Sequence, residues 1–96
     1  MATLHIENVV HDFDSWKAAF DKYDRLRREK GVRSFRMTRH HDDPTKVVVD
    51  LDFDSVSRAE DFCAVLEKIW QSPQSKAELV SHTKPLIVDV VEQRTL

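Results

Sequence analysis

The sequence predicts an α+β fold of the ferredoxin-like type, in which strand, helix, strand, strand, helix and strand follow one another within 96 residues. Two patterns predict it. Apolar residues alternate with polar ones in four segments, which is typical of strands, and recur every three or four positions in two longer segments, which is typical of helices. A β-α-β-β-α-β chain of this length forms a four-stranded antiparallel sheet with two helices on one face. The length also indicates one domain, residues 1–96.

The N-terminal thirty residues predict the first strand and the first helix. Alternation puts one set of strand residues on the helix-facing side of the sheet: Leu4, Ile6, Asn8 and Val10. Asp12 and Asp14 are suitable N-caps, and one continuous helix follows, with the apolar stripe Phe13, Trp16, Ala19, Phe20, Tyr23 and Leu26. The basic run Arg25, Arg27, Arg28 and Lys30 favours a helix C-terminus, and Gly31, the only glycine, suits the left-handed residue that ends a helix.

Two strands, at about 33–41 and 46–54, are predicted to form a hairpin. If His40 pairs with Lys46, then Phe35 and Met37 join the apolar face of the later strand. In this register Arg36 lies opposite Asp50 and Ser34 opposite Asp52. A slip by one residue would turn Arg36 and Asp50 towards the helices, so the register is well specified.

The C-terminal half predicts a second helix, a short third helix and a last strand. Ser57 and Glu60 have the spacing of a capping box, and the helix has the apolar stripe Ala59, Phe62, Cys63, Leu66, Ile69 and Trp70. Ser72 and Pro73 predict the start of the short helix, which ends near Val80 and leaves His82 in a loop. The last strand runs from Leu86 to Val91. Cys63 is interpreted as a small apolar filler.

The outer face of the predicted sheet, away from the helices, is half apolar and half ionic. It comprises His5, Glu7, Val9, Ser34, Arg36, Thr38, Val48, Asp50, Asp52, Ile87, Asp89 and Val91. Its β-branched residues argue against full hydration, and its charges argue against a dry core, because unpaired buried charges are costly. Packing of this face on a second copy of the chain would bury its apolar residues, and pairing of Arg36 with Asp50 would neutralise part of its charge. A solvated face with scattered apolar residues is the alternative.

Composition excludes several classes of function. Lys and Arg (15) nearly balance Asp and Glu (17), and the net charge of -2 gives no general attraction to nucleic acid or to an anionic membrane. One cysteine provides neither a disulfide framework nor a thiolate cluster. The N-terminus does not have the pattern of a signal peptide, and no apolar stretch reaches membrane-spanning length. We therefore expect a soluble cytoplasmic protein.

Four segments of the chain carry a resemblance to a known family: 12–21 at the first helix, 31–33, the hairpin 42–49, and Ser72-Pro73. Together they resemble the dimeric α+β barrel superfamily, and within it the antibiotic-biosynthesis-monooxygenase-like proteins, which include members labelled as cyclases or monooxygenases. The resemblance covers nearly the whole chain. It implies a homodimer whose two sheets pack face to face, and a pocket in each subunit between sheet and helices.

The resemblance directs attention to polar residues on the helix-facing side. The candidate catalytic residues are Asn8, Tyr23, Trp70 and His82, and the candidate pocket walls are Trp16, Phe20, Met37 and Leu66. Cofactor-free oxygenases of this family bind an electron-rich phenol, hold its anion and let it reduce oxygen. Such a site needs a hydrogen-bond partner for the anion and exclusion of water. The resemblance thus implies a cofactor-independent monooxygenase or cyclase acting on a small aromatic or polyketide-like compound.

Other functions remain open at this stage. A non-catalytic ligand-binding or assembly dimer is the main alternative, in which the same aromatic residues simply fill the core. Asn8, Trp70 and His82 also resemble the haem-degrading members of the superfamily, in which the histidine binds iron, although here the phenylalanine-rich surroundings of such a site are missing. No cofactor is expected. A metal site at residues 40–43 is not expected either, because neighbouring strand residues point to opposite faces.

Overall fold

The computed structural model describes residues 1–96 and confirms the predicted α+β, ferredoxin-like class. Nine elements follow in chain order: β1 (Ala2–Val10), α1 (Phe13–Asp21), α2 (Asp24–Glu29), β2 (Ser34–Arg39), β3 (Lys46–Phe53), α3 (Val56–Trp70), α4 (Pro73–Glu78), β4 (Leu79–His82) and β5 (Leu86–Asp89). The helices cover one face of an antiparallel sheet. None of them is both long enough and apolar enough to cross a membrane.

The sheet has five strands rather than the predicted four, because the last position is occupied by two short strands. The order is β2-β3-β1, and β4 and β5 both pair with the free side of β1. β4 pairs with the C-terminal part of β1, from Asn8 to Val10, and β5 pairs with its N-terminal part, from Ala2 to His5. β4 was not predicted: the short helix ends at Glu78 instead of near Val80, and His82 lies in a strand, not in a loop.

The interruption between β4 and β5 also reverses the predicted faces of the last strand. Asn8 lies opposite His82, so an unbroken strand in that register would place Leu86 opposite Leu4. Ile87 lies there instead, because residues 83–85 shift the register by one. Ile87 therefore packs against the core, and Leu86 and Val88 lie on the outer face, 55% and 43% exposed. The prediction that Ile87 and Asp89 point outward is wrong.

The predicted register of the β2–β3 hairpin is confirmed. Arg36 lies opposite Asp50, Met37 opposite Val49 and Phe35 opposite Leu51. The expected ion pair between Arg36 and Asp50 is not formed. Asp50 instead accepts a hydrogen bond from His5, 2.6 Å from its Nδ1, and the other ring nitrogen of His5 lies 3.3 Å from Glu7.

The first helical segment is broken, although one continuous helix was predicted. Asp12 caps α1 by accepting from the backbone N–H of Ser15, as predicted. At Lys22 and Tyr23 the backbone N–H groups donate to carbonyls only three residues back, those of Ala19 and Phe20, and Tyr23 becomes the N-cap of α2. Gly31 follows α2 with a φ of 94°, the positive value for which the only glycine is suited.

Helix α3 begins two residues earlier than predicted. Ser55, not Ser57, is the N-cap, and its hydroxyl accepts from the backbone N–H of Arg58 at 3.2 Å. The predicted capping box at Ser57 is therefore wrong, because Ser57 already lies inside the helix. Ser72 and Pro73 begin α4 as predicted.

The core lies between the sheet and the helices. Its buried members are Leu4, Ile6, Val10, Trp16, Val47, Val49, Leu51, Phe53, Ala59 and Phe62. Cys63 packs against this cluster, and burial raises the pKa of its thiol, in keeping with its interpretation as a filler. All the sheet members of the core come from β1 and β3, so these two strands form the floor of any site under the helices.

We predict that His5 makes stability depend on pH. The hydrogen bond to Asp50 raises the pKa of His5. A group whose pKa is raised by folding stabilises the folded state below its unfolded pKa, roughly 6.5, and loses this contribution as pH rises through the folded pKa. The free energy of unfolding of the wild type, measured with urea, should therefore exceed that of His5→Gln by more at about pH 5.5 than at about pH 9. His41→Gln, in the exposed hairpin loop, is the matched control. A difference that is constant or grows with pH would contradict the assignment.

Candidate functional site

A cavity of about 90 Å³ lies between the helices and the sheet. Its walls come from β1, β3, α1, α2, α3, α4 and β4. Twelve of its sixteen lining residues are hydrophobic, which makes it suited to an apolar ring. The lining comprises Ile6, Asn8, Trp16, Ala19, Phe20, Tyr23, Arg27, Val49, Leu51, Phe62, Leu66, Ile69, Trp70, Ser75, Glu78 and Leu79.

Most of the candidate residues lie on this cavity. Asn8, Tyr23 and Trp70 line it, as do the predicted wall residues Trp16, Phe20 and Leu66. Met37 and His82 do not. Met37 packs against the edge of the core, and His82 lines a separate polar groove, which it shares with Asn8. Asn8 is therefore the residue common to both spaces.

Asn8 is a buried amide with unused hydrogen-bonding capacity. It lies in β1 on the helix-facing side, is 7% exposed, and donates to the Val47 carbonyl oxygen at 3.4 Å. This contact is long and uses one of the two amide hydrogens. The second N–H and the side-chain oxygen have no partner within the protein. They can bind a polar group placed in the cavity.

Tyr23 and Trp70 add two more free donors. Tyr23 stands at the break between α1 and α2 and lines the cavity. Trp70 is the last residue of α3. Neither the Tyr23 hydroxyl nor the Trp70 indole N–H forms a hydrogen bond within the protein.

His82 supports Trp70 from outside the cavity. The two rings are stacked, with centroids 3.7 Å apart and an interplanar angle of 17°. The His82 Nδ1 lies 3.0 Å from the Thr83 carbonyl oxygen, and because a carbonyl only accepts, this nitrogen is the donor. The imidazole is thus held by a hydrogen bond on one side and by the indole face on the other.

This arrangement does not fit a haem. The cavity, about 90 Å³, is too small for a porphyrin, which carries four pyrrole rings. The His82 ring is packed face to face on Trp70 and lies outside the cavity, so it presents no nitrogen to a group bound there. Elsewhere, no group of three or more histidine, cysteine, aspartate or glutamate side chains is arranged to hold a metal ion.

Arg27 is a lining residue that the sequence analysis did not identify. It belongs to the basic run that was interpreted only as a sign of a helix C-terminus, and it is 5% exposed. Its guanidinium carbon lies 3.6 Å from the centroid of the Phe20 ring, a cation–π contact. A signal existed, because Trp16, Phe20, Tyr23 and Arg27 are separated by four, three and four residues and so continue the apolar stripe.

Comparison with known proteins places the chain by its fold. No protein-family model matches it, and no curated protein does. Solved structures do match. One described as an antibiotic biosynthesis monooxygenase has a TM-score of 0.70 and 14% identity, over 96% of this chain and 100% of the other. A candidate antibiotic biosynthesis monooxygenase from Deinococcus radiodurans has a TM-score of 0.68 and 10% identity, over 100% and 98%.

A third matching structure is described as dimeric. A dimeric ferredoxin-like protein from an uncultured marine organism has a TM-score of 0.60 and 13% identity, over 97% of this chain and 96% of the other. At these identities the likeness shows the fold. The resemblance to the antibiotic-biosynthesis-monooxygenase-like proteins is therefore confirmed at the level of the fold.

Proposed function

We propose that the protein is a cofactor-independent monooxygenase that acts on a small aromatic compound in the cavity between helices and sheet. The observation that carries the proposal is the cavity itself, a largely apolar space lined by Asn8, whose amide keeps one N–H unused within the protein. The fold shared with structures described as antibiotic biosynthesis monooxygenases supports the same reaction class.

The reaction draws its electrons from the substrate. An ionised phenol gives electrons to O₂, and a bond forms between a ring carbon and one oxygen atom. The O–O bond of the resulting hydroperoxide then breaks, so one oxygen atom becomes a quinone carbonyl and the other leaves as water. A phenol plus O₂ thus gives a quinone plus water, with no outside reductant.

Within this scheme the protein supplies binding and electrostatics. Asn8 donates its free N–H to the phenolate oxygen, which favours the anion that reacts with oxygen. The aromatic walls, Trp16, Phe20 and Trp70, contact the ring and exclude water. His82 is a positioning residue, because it contacts Trp70 and not the cavity. A volume of about 90 Å³ favours a single-ring substrate over a fused polyketide.

We further propose that two copies associate through their outer faces, in the cytoplasm. The exposed Leu86 and Val88 increase the apolar part of this face, and His5 and Asp50 pair there with each other rather than remaining unpaired charges. The dimeric protein of the same fold supports this assembly. Sedimentation equilibrium should give twice the 11.2 kDa chain mass at high micromolar concentration.

Oxygen uptake tests the proposed reaction. Metal-depleted protein should consume O₂ in the presence of single-ring phenols and hydroquinones, in saturable fashion, with one labelled oxygen atom from ¹⁸O₂ in the product and one in water. Tryptophan fluorescence reports binding independently, since both tryptophans line the cavity. If these phenols and hydroquinones quench tryptophan fluorescence in saturable fashion but none supports oxygen uptake, the proposal of monooxygenase activity is overturned in favour of a ligand-binding dimer. Absence of both would show that the cavity is only a packing feature.

A further inference from the structure

Arg27 is a charged side chain buried on the cavity wall without a partner. Its side chain is 7% exposed, and neither Nε nor Nη2 has a hydrogen-bond partner within the protein. Burial lowers the pKa of this guanidinium, against the opposing effect of Asp24 and Asp21. A buried guanidinium without acceptors is costly, so the position is satisfied best when an acceptor enters from outside.

The neighbouring carboxylate does not provide that acceptor. The Asp24 Oδ1 lies 4.0 Å from the Arg27 Nη2, beyond hydrogen-bond distance. The other oxygen of Asp24 accepts from the Arg28 Nε at 2.8 Å, and Asp24 is half-exposed. Asp24 is therefore engaged with Arg28 at the surface, and the fully buried Nε–Nη2 edge of Arg27 is left without an acceptor.

The two unpaired nitrogens define what can bind. Nε and Nη2 carry parallel N–H groups along one edge of the planar guanidinium, which is the edge that grips both oxygens of a carboxylate. The contact with Phe20, 3.6 Å from the guanidinium carbon, and the Phe35 ring 5.6 Å away hold this plane in place. A lysine ammonium group at this position would not present two parallel N–H groups in one plane.

The geometry points to an aromatic carboxylate as the ligand of this cavity, with its carboxylate bound in bidentate fashion by Nε and Nη2 of Arg27 and its ring between the aromatic walls. This deepens the proposed function and rests on it: the substrate class becomes a single-ring hydroxylated benzoic acid. The carboxylate anchors at Arg27, and the hydroxyl oxygen is left to Asn8.

Binding of benzoate and of its neutral isostere benzamide tests this inference. The wild type, followed by tryptophan quenching and calorimetry, should bind benzoate at least about tenfold more tightly, because hydrogen bonds to a charged group are the stronger ones. Arg27→Met should abolish the preference and leave benzamide affinity within about twofold. Arg27→Lys should restore part of the preference for benzoate, since lysine keeps the positive charge but lacks the two parallel N–H groups of the guanidinium.

Arg28→Met is the matched control, because Arg28 is the exposed neighbour that binds the same Asp24. It should leave the preference unchanged. Equal affinities for benzoate and benzamide in the wild type would overturn the inference, and this measurement does not depend on whether the variants fold. An equal loss of the benzoate preference in Arg28→Met and Arg27→Met would also overturn it. The two proposals can fail separately. Oxygen uptake with neutral phenols but no preference for benzoate would overturn only the proposal of an aromatic carboxylate ligand. A preference for benzoate without oxygen uptake on hydroxybenzoates would overturn only the proposal of monooxygenase activity.

Discussion

Asn8→Leu should lower the turnover of the proposed oxygenation by about 10²–10³-fold, the usual cost of removing one donor that stabilises a developing oxyanion. Leucine has nearly the same size and no polar atoms, so the cavity keeps its shape. The amide makes a single hydrogen bond of 3.4 Å within the protein, and its loss should change the stability of the fold little. The measurement is kcat and KM from initial rates of oxygen uptake, together with the urea midpoint of each protein.

Whether Asn8→Leu changes kcat or KM distinguishes two roles for Asn8. A donor that acts mainly on the reacting anion lowers kcat and kcat/KM together, whereas a donor that merely binds the substrate raises KM. Met37→Leu is the matched control, because Met37 lies on the same face of the sheet but outside the cavity. Unchanged turnover in Asn8→Leu would remove Asn8 from the reaction.

Phe62→Ala should destabilise the fold by about 3–5 kcal/mol, the range for a large aromatic residue removed from a core. Phe62 is 2% exposed, lies on α3 and packs on Phe53 with ring centroids 5.6 Å apart. It is also part of the cavity wall, so the lost side chain adds to a space that already exists and that the surroundings cannot fill. The free energy of unfolding should be measured by urea denaturation at fixed protein concentration, because association would contribute to it.

Val56→Ala provides the comparison on the same helix. Val56 is 43% exposed at the start of α3, and its truncation should change stability by no more than about 0.5 kcal/mol. If Phe62→Ala cost as little, the packing between α3 and the sheet would be looser than described. If Phe62→Ala bound larger ligands while its free energy of unfolding stayed unchanged, the cavity would be one that changes shape to fit its ligand.

The sequence was a good guide wherever a period could be read over several residues. The predicted hairpin register agrees with the alternation in β3, because a slip by one residue would turn Arg36 and Asp50 towards the helices. It was a poor guide where short elements meet. The break at Tyr23 and the strand from Leu79 to His82 depend on tertiary contacts, since β4 exists only by pairing with the end of β1.

The same limits apply to the site. Aromatic residues at helical spacing predicted the walls Trp16, Phe20 and Leu66, because a stripe must face the sheet. Arg27 was missed since a cation near a helix end is normally solvated, although its spacing from Phe20 and Tyr23 continues the apolar stripe. His82 was placed in a loop, and its stacking on Trp70 could not be predicted without β4.

The segment between β4 and β5 holds one residue more than the stretch of β1 that it passes. Asn8 lies opposite His82 and Leu4 lies opposite Ile87, so β1 advances by four positions (8 to 4) while the other side advances by five (82 to 87). Deletion of one codon among 83–85 would remove this surplus and join β4 and β5 in a single register, with Ile87 still opposite Leu4. Leu86 and Val88 would stay on the surface proposed to join two copies. A gene shortened by one codon at this point would therefore keep both the cavity lining and that surface.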